Sequence, residues 1–263
     1  MSDLLRVENL AVRFVNRRRE TVEAVRGISF TMAPGEILGI VGESGSGKTV
    51  TTQAICGAIH VPGAAVSGRC LFAGQDMLTA SPEEKRQILG KRISMVFQEP
   101  QSAMNPLLKV GRQVEEVLKI HTHQPKHERR EAALDALEAV ELADPERVYG
   151  QYPHELSGGM RQRALIAGAI LLGPELLICD EPTSALDVTT QAQILALLQK
   201  INRDLGVGIL LISHDLGVVR RLCRRILVMK AGQIVEEGTV EQVFEAPQHA
   251  YTQELLRASR GEL

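Results

Sequence analysis

An α/β fold is predicted for this chain, with a mostly parallel sheet, an N-terminal antiparallel β subdomain and an inserted α-helical subdomain. Three features predict it: alternating apolar residues at the start, apolar strand-like runs alternating with helical periodicity later, and a helical stretch in between. From Leu5 to Phe30 the apolar residues largely alternate, through Val7, Leu10, Val12 and Phe14 and then Val25, Ile28 and Phe30, as half-buried antiparallel strands do. The basic run Arg17 to Arg19 reads as a solvated turn between them. Glu36 to Val41 is an apolar run entering a glycine-rich turn. Val50, Ala54, Ile55 and Ile59 then fall at helical spacing, so this region reads as strand, loop and helix. Pro106 to Tyr152 is helical in pattern, with a polar break at His121 to His127 and an amphipathic stretch from Arg130 to Val140. After it come a helix from Met160, a strand at Leu176 to Cys179, a helix from Val188, and strands at Gly208 to Ile212 and Ile226 to Met229. Repeated crossovers of this kind imply parallel strands with helices on the sheet faces.

Composition narrows the function classes. The 263 residues suffice for one large domain or two small ones, and 30 basic against 32 acidic residues leave a formal charge of -2. No long-range field gathers nucleic acid or acidic lipid, so no nucleic-acid partner is expected. Cys56, Cys70, Cys179 and Cys223 form no CxxC pair and read as small buried apolar residues. The opening MSDLLRVENL lacks a basic-then-apolar leader, which points to a reduced, cytoplasmic setting. No apolar run approaches the roughly 18 to 20 residues that span a bilayer, so any membrane role is expected to be peripheral.

The chemistry starts at Gly42-Glu43-Ser44-Gly45-Ser46-Gly47-Lys48-Thr49, which fits G-x-x-x-x-G-K-[ST]. Glycines there let backbone N–H groups turn inward around phosphate oxygens. Lys48 would reach the β and γ phosphates of ATP, and the Thr49 hydroxyl would meet Mg²⁺. The following helix would aim its positive end at the same anion. The expected core is therefore that of a P-loop NTPase, RecA-like in its parallel sheet. Leu176-Leu177-Ile178-Cys179-Asp180-Glu181 supplies an apolar strand ending in two carboxylates. Asp180 would hold Mg²⁺ through water, and Glu181 would accept a proton from the attacking water.

Leu156-Ser157-Gly158-Gly159-Met160-Arg161-Gln162-Arg163 resembles the signature peptide of ABC (ATP-binding cassette) ATPases. Ser157 and the amides of Gly158 and Gly159 precede a helix and make a second anion-binding N-terminus. The resemblance implies that this second cradle closes over the ATP of a partner cassette. It also implies that Gln98 is the glutamine sensing Mg²⁺ and the attacking water, that Ser184-Ala185-Leu186-Asp187 crosses the dimer interface, and that His214 contacts the γ-phosphate. Phe14 stands near the family's adenine-stacking aromatic, with core packing as the other reading. The resemblance spans roughly Leu5 to Ala258.

Within it, Phe97-Gln98-Glu99-Pro100-Gln101-Ser102-Ala103-Met104-Asn105-Pro106 and the tail His249-Ala250-Tyr251-Thr252-Gln253-Glu254-Leu255-Leu256 look like segments of peptide and nickel importer ATPases. Val50, at the end of the nucleotide-binding set, is usual in that subfamily. The chain stops at Leu263 without the cysteine cluster of many peptide-type members, which tilts the expected cargo toward nickel or a metal chelate. His121, His123 and His127 are read as a solvated loop rather than a metal site, since no carboxylate or cysteine set accompanies them.

The resemblance thus implies one cassette: a nucleotide-binding core over 1–97 and 160–240, a helical subdomain over 98–159 and a helical tail over 241–263. Its expected partners are a second cassette, identical or not, two transmembrane permease subunits and an extracytoplasmic substrate-binding protein. Its expected place is the cytoplasmic face of the plasma membrane. The rival expectation is a soluble ABC ATPase acting on nucleic acid or ribosomes, a class that usually carries two cassettes or a long coiled-coil insertion in one chain.

Overall fold

The computed structural model describes residues 3–15, 21–59, 61–97 and 103–259. In chain order the strands and helices are β1 (Leu5–Val15), β2 (Thr21–Met32), β3 (Ile37–Val41), α1 (Lys48–Ile55), β4 (Ala64–Phe72), β5 (Gln75–Asp76), α2 (Pro82–Ile88) and β6 (Ile93–Val96). There follow α3 (Val110–Val114), α4 (Glu116–His121), α5 (Lys126–Ala139), α6 (Pro145–Gly150), a 3-10 turn at Pro153–Glu155, α7 (Gly158–Ile170), β7 (Leu176–Asp180) and α8 (Val188–Leu205). The chain closes with β8 (Gly208–Ser213), α9 (Leu216–Leu222), β9 (Arg225–Lys230), β10 (Gln233–Thr239), α10 (Val240–Glu245) and α11 (Ala250–Ser259). It divides into two compact units, 1–85 with 208–263, and 86–207.

The first unit holds two sheets. An antiparallel one runs β2-β1-β4-β5. In the other, β3 lies between β8 and β9 and pairs with both in parallel, while β10 adds antiparallel to β9. Every residue of β3 and β8 is buried, so their apolar runs are continuous rather than alternating, as parallel strands covered on both faces require. In β1 the apolar period slips between Val7 and Leu10, three residues apart. A bulge absorbs the slip: the pairing register shifts there, and Asn9 sits at φ 47 with its amide donated to Ser29 Oγ at 2.8 Å. Both Val7 and Leu10 thereby reach the core.

One expectation from the sequence changes here. Helix α1 ends at Ile55 and not at Ile59, because Gly57 takes a left-handed φ of 60. The Gly57 amide bonds Ala54 O and the Ala58 amide bonds Gln53 O, a Schellman stop. Strands β4, β5 and β10 and helix α9 were not legible as periodic runs; β4 in particular is interrupted by the exposed Ser67, Gly68 and Arg69 in a largely apolar stretch. The run Arg17 to Arg19 lies outside the described residues.

The second unit contains the parallel pair β6 and β7, with β7 buried along its whole length, and helices α3 to α8. The helices pack closely: a Cβ on Gly111 of α3 would lie 2.0 Å from the Tyr149 ring of α6. The Tyr149 hydroxyl donates to Glu115 Oε2 at 3.1 Å, and Arg163 of α7 donates to the Val140 carbonyl at 2.6 Å. Of the three histidines expected on one solvated loop, only His123 is in a loop. His121 closes α4 and His127 lies in the first turn of α5. Among the described residues no helix is long and apolar enough to cross a membrane. All four cysteines are buried free thiols, and burial pushes Cys56 and Cys70 up to about 12, so both stay protonated.

Candidate active site

In the first unit the buried strand β3 delivers the chain into the loop 42–47, and α1 leaves it. Gly42, Gly45 and Gly47 have φ of 152, 81 and 104, values that favour glycine. Space matters as much as dihedral angle: a Cβ on Gly42 would lie 2.2 Å from Met229 O, and one on Gly47 2.5 Å from Ala24 O. The loop is thus squeezed between β9 and β2. It is tied there by a bond from the Gly232 amide to Ser46 O at 2.9 Å, and Gly232 in turn accepts the Arg26 amide at 2.8 Å. Thr51 Oγ1 donates to Gly47 O at 2.9 Å and secures the start of α1.

Lys48 is 6% exposed, and its ammonium donates to the carbonyls of Gly42 at 2.7 Å and Glu43 at 2.8 Å, arching over the loop. Ser44, Gly45 and Thr49 face outward. Ser46 Oγ is buried with no hydrogen-bond partner in the structure, and the space around the Cβ position of Gly45 is open to 4 Å. A buried ammonium and an orphaned hydroxyl at a helix N-terminus fit a phosphate chain. Val50 follows, half-buried, in the first turn of α1. His214 lies exposed between Ser213, the last residue of β8, and Asp215, whose carboxylate accepts the amides of Gly217 and Val218 to cap α9. Phe14 is half-buried on β1, opposite Val22 and Ala64, and so is not a core residue.

In the second unit β7 ends at Asp180, which is 3% exposed, and the chain turns at Glu181. Glu181 is half-buried at φ 47, a left-handed conformation costing a non-glycine residue roughly 1–2 kcal/mol. The turn holds it there: its carbonyl accepts the Ser184 amide at 3.3 Å and the Ser184 hydroxyl at 3.2 Å, while Leu186 donates to Thr183 O. Asp187 ends this loop by capping α8 through the Thr190 amide at 2.9 Å. Ser157 caps α7 by accepting the Met160 amide at 3.3 Å, which leaves the first-turn amides of Gly158 and Gly159 for another acceptor. Gly159 is required by packing, since a Cβ would lie 2.5 Å from Thr190 Cγ2. Gln98 lies outside the described residues, as do residues 99–102 of the 97–106 segment.

One contact near the loop was not foreseen. The hydroxyl of Tyr251, on α11, accepts the Glu43 amide at 3.1 Å. The only sequence signal for it was the tail motif 249–256.

A phosphate cradle on a parallel α/β sheet, joined in one chain to a strand ending in paired carboxylates and to a serine-glycine helix start, defines a P-loop ATPase of the cassette type. Residues 25–184 match the family model described as ABC transporter. The chain is 48% identical over 254 residues to the oligopeptide transport ATP-binding protein OppD of Bacillus subtilis, covering 96% of this chain and 71% of that one. It is 46% identical over 255 residues to the dipeptide transport ATP-binding protein DppD of Escherichia coli, covering 97% and 78%. Among solved structures, the dimeric bacterial cassette MJ0796 superposes with a TM-score of 0.80 at 29% identity, covering 90% of this chain and 98% of that one. The chain belongs to the ABC transporter family, as an ATP-binding cassette and an ATPase.

Proposed function

We propose that this cassette powers an importer of di- or oligopeptides, working with a second cassette and two permease subunits at the cytoplasmic face of the plasma membrane, served by an extracytoplasmic binding protein. The observation that carries the cargo is the chain-long identity to proteins named for oligopeptide and dipeptide transport. These names favour peptides over the nickel or metal chelate that the sequence reading leaned toward. The second cassette is supported by the dimeric form of MJ0796 and by the helix start at Gly158 and Gly159, whose first-turn amides have no partner within the helix.

Each residue has an assigned part. The loop 42–47, Lys48 and Val50 bind the polyphosphate, and Phe14 offers a ring to the adenine. The Thr49 hydroxyl and the Asp180 carboxylate are hard oxygen donors of the kind Mg²⁺ takes, and Gln98 completes that set. When bound, Mg²⁺ supplies charge neutralisation at the phosphates. Glu181 takes a proton from the attacking water, and His214 holds the γ-phosphate. Ser157, Gly158 and Gly159 serve the nucleotide of the partner cassette. Nucleotide drives closure to the extent that it binds the closed pair better than the open one. Functionally the chain then divides into a core over 1–97 and 160–240, a helical part over 98–159 that faces the permeases, and a tail over 241–263.

Uptake of labelled dipeptide, oligopeptide and nickel by cells lacking this chain tests the reading. Loss of peptide uptake with nickel uptake intact is expected; loss of nickel uptake alone would replace peptide by metal.

A further inference from the structure

We propose that Tyr251 is a positioning residue for nucleotide binding, its hydroxyl holding the entry of the phosphate loop through the Glu43 amide. This rests on the reading of Gly42 to Thr49 as the phosphate cradle.

The contact joins residues 208 positions apart within the first unit, and Tyr251 is 3% exposed. Its ring is fixed from the other side as well. Lys230 Nζ stands 4.2 Å from the ring centroid, at the end of β9, one residue beyond the Met229 carbonyl that crowds Gly42. The helix carrying Tyr251 is anchored before it begins. The Glu236 carboxylate on β10 accepts the amides of Gln248 at 2.8 Å and His249 at 3.0 Å, and His249 Nδ1 accepts the Tyr251 amide at 3.1 Å. Residues 248–251 therefore form a bracket between β10 and the loop. Burial raises the Tyr251 hydroxyl above its usual value against the opposing pull of the Glu43 amide, and the Glu43 and Glu254 carboxylates add to the rise. The phenol thus stays neutral and keeps its proton, with lone pairs for the amide.

Glu43 is the first residue after Gly42, where the loop leaves β3 and begins to curl. An amide held there narrows the conformations open to Ser44 and Gly45, which face outward and have few neighbours of their own. A loop that must adopt one arrangement before it can bind loses apparent affinity in proportion to the fraction of time it spends elsewhere. Removing the hydroxyl raises that fraction without touching any group that meets the reacting atoms. The loss falls equally on substrate and transition state, so KM rises while kcat holds.

The test is to titrate the full chain and its Tyr251→Phe and Lys48→Ala variants with a fluorescent ATP analogue, alongside steady-state KM and kcat and the melting temperature without nucleotide. Phenylalanine keeps the ring beneath Lys230 and removes only the oxygen. Tyr251→Phe is expected to raise Kd and KM about three- to tenfold, the scale of one hydrogen bond, with kcat within about twofold. An unchanged Kd overturns the proposal, whether or not the melting temperature falls, since packing alone would then explain the contact. A drop in kcat at constant KM overturns it too. Lys48→Ala separates the two readings: wild-type affinity in that variant sinks the phosphate cradle itself, whereas lost binding there with an unchanged Tyr251→Phe sinks only the role of Tyr251.

Discussion

Lys48 and Glu181 show how single residues are prepared for work by what surrounds them. Lys48 is buried, and its ammonium is already hydrogen-bonded to two carbonyls of the loop, so it is held over the cradle rather than waving in solvent. Replacing it with alanine removes a charge-assisted partner of the phosphates worth about 1.5–3 kcal/mol, so ATP affinity should fall on the order of 10- to 150-fold. Glu181 presents the opposite case, a residue whose side chain chemistry depends on an unfavourable backbone. Its φ of 47 re-aims the side chain at the point where β7 ends. Glu181→Gln keeps that shape and removes the proposed base, so on that proposal the variant should bind ATP, release no phosphate and accumulate as an ATP-loaded dimer on size exclusion. Unchanged phosphate release would remove Glu181 from the role of base.

At the scale of elements, the strand β3, the loop and helix α1 act as one piece because the loop is clamped from both sides. Met229 O on β9 and Ala24 O on β2 leave no room for a Cβ on Gly42 or Gly47. Gly45 differs: its φ of 81 also favours glycine, but nothing lies within 4 Å of the added carbon. Gly45→Ala pays only for backbone conformation, about 1 kcal/mol, whereas Gly47→Ala pays for that and for a clash with main-chain atoms that cannot rotate away. Thermal melting should therefore place Gly47→Ala clearly below Gly45→Ala; equal melting temperatures would show that the loop is not clamped. The sequence motif predicts glycine at both positions without ranking them. The ranking comes from β2 and β9, which belong to different sheets.

At the scale of the whole molecule, ATP should stabilise the folded chain by mass action. At a hundred times Kd the gain is about 2.7 kcal/mol, a rise in melting temperature of about 5–10 °C for a chain of this size. Lys48→Ala should abolish most of that rise, and a rise of equal size in the variant would mean that ATP binds elsewhere. The sequence by itself determined the parallel α/β class and the phosphate-loop pattern from Gly42 to Thr49, whereas the roles of Gln98, Ser157 and His214 came from the family resemblance. It could do so because strands, helices and phosphate loops are written in local periodicity and spacing. Tertiary structure alone decided the left-handed turn at Glu181, the tie from Gly232 to Ser46 and the hold of Tyr251 on Glu43. Those depend on which segments meet after folding, and a bond between residues 208 apart leaves no period in the chain that a sequence pattern could carry.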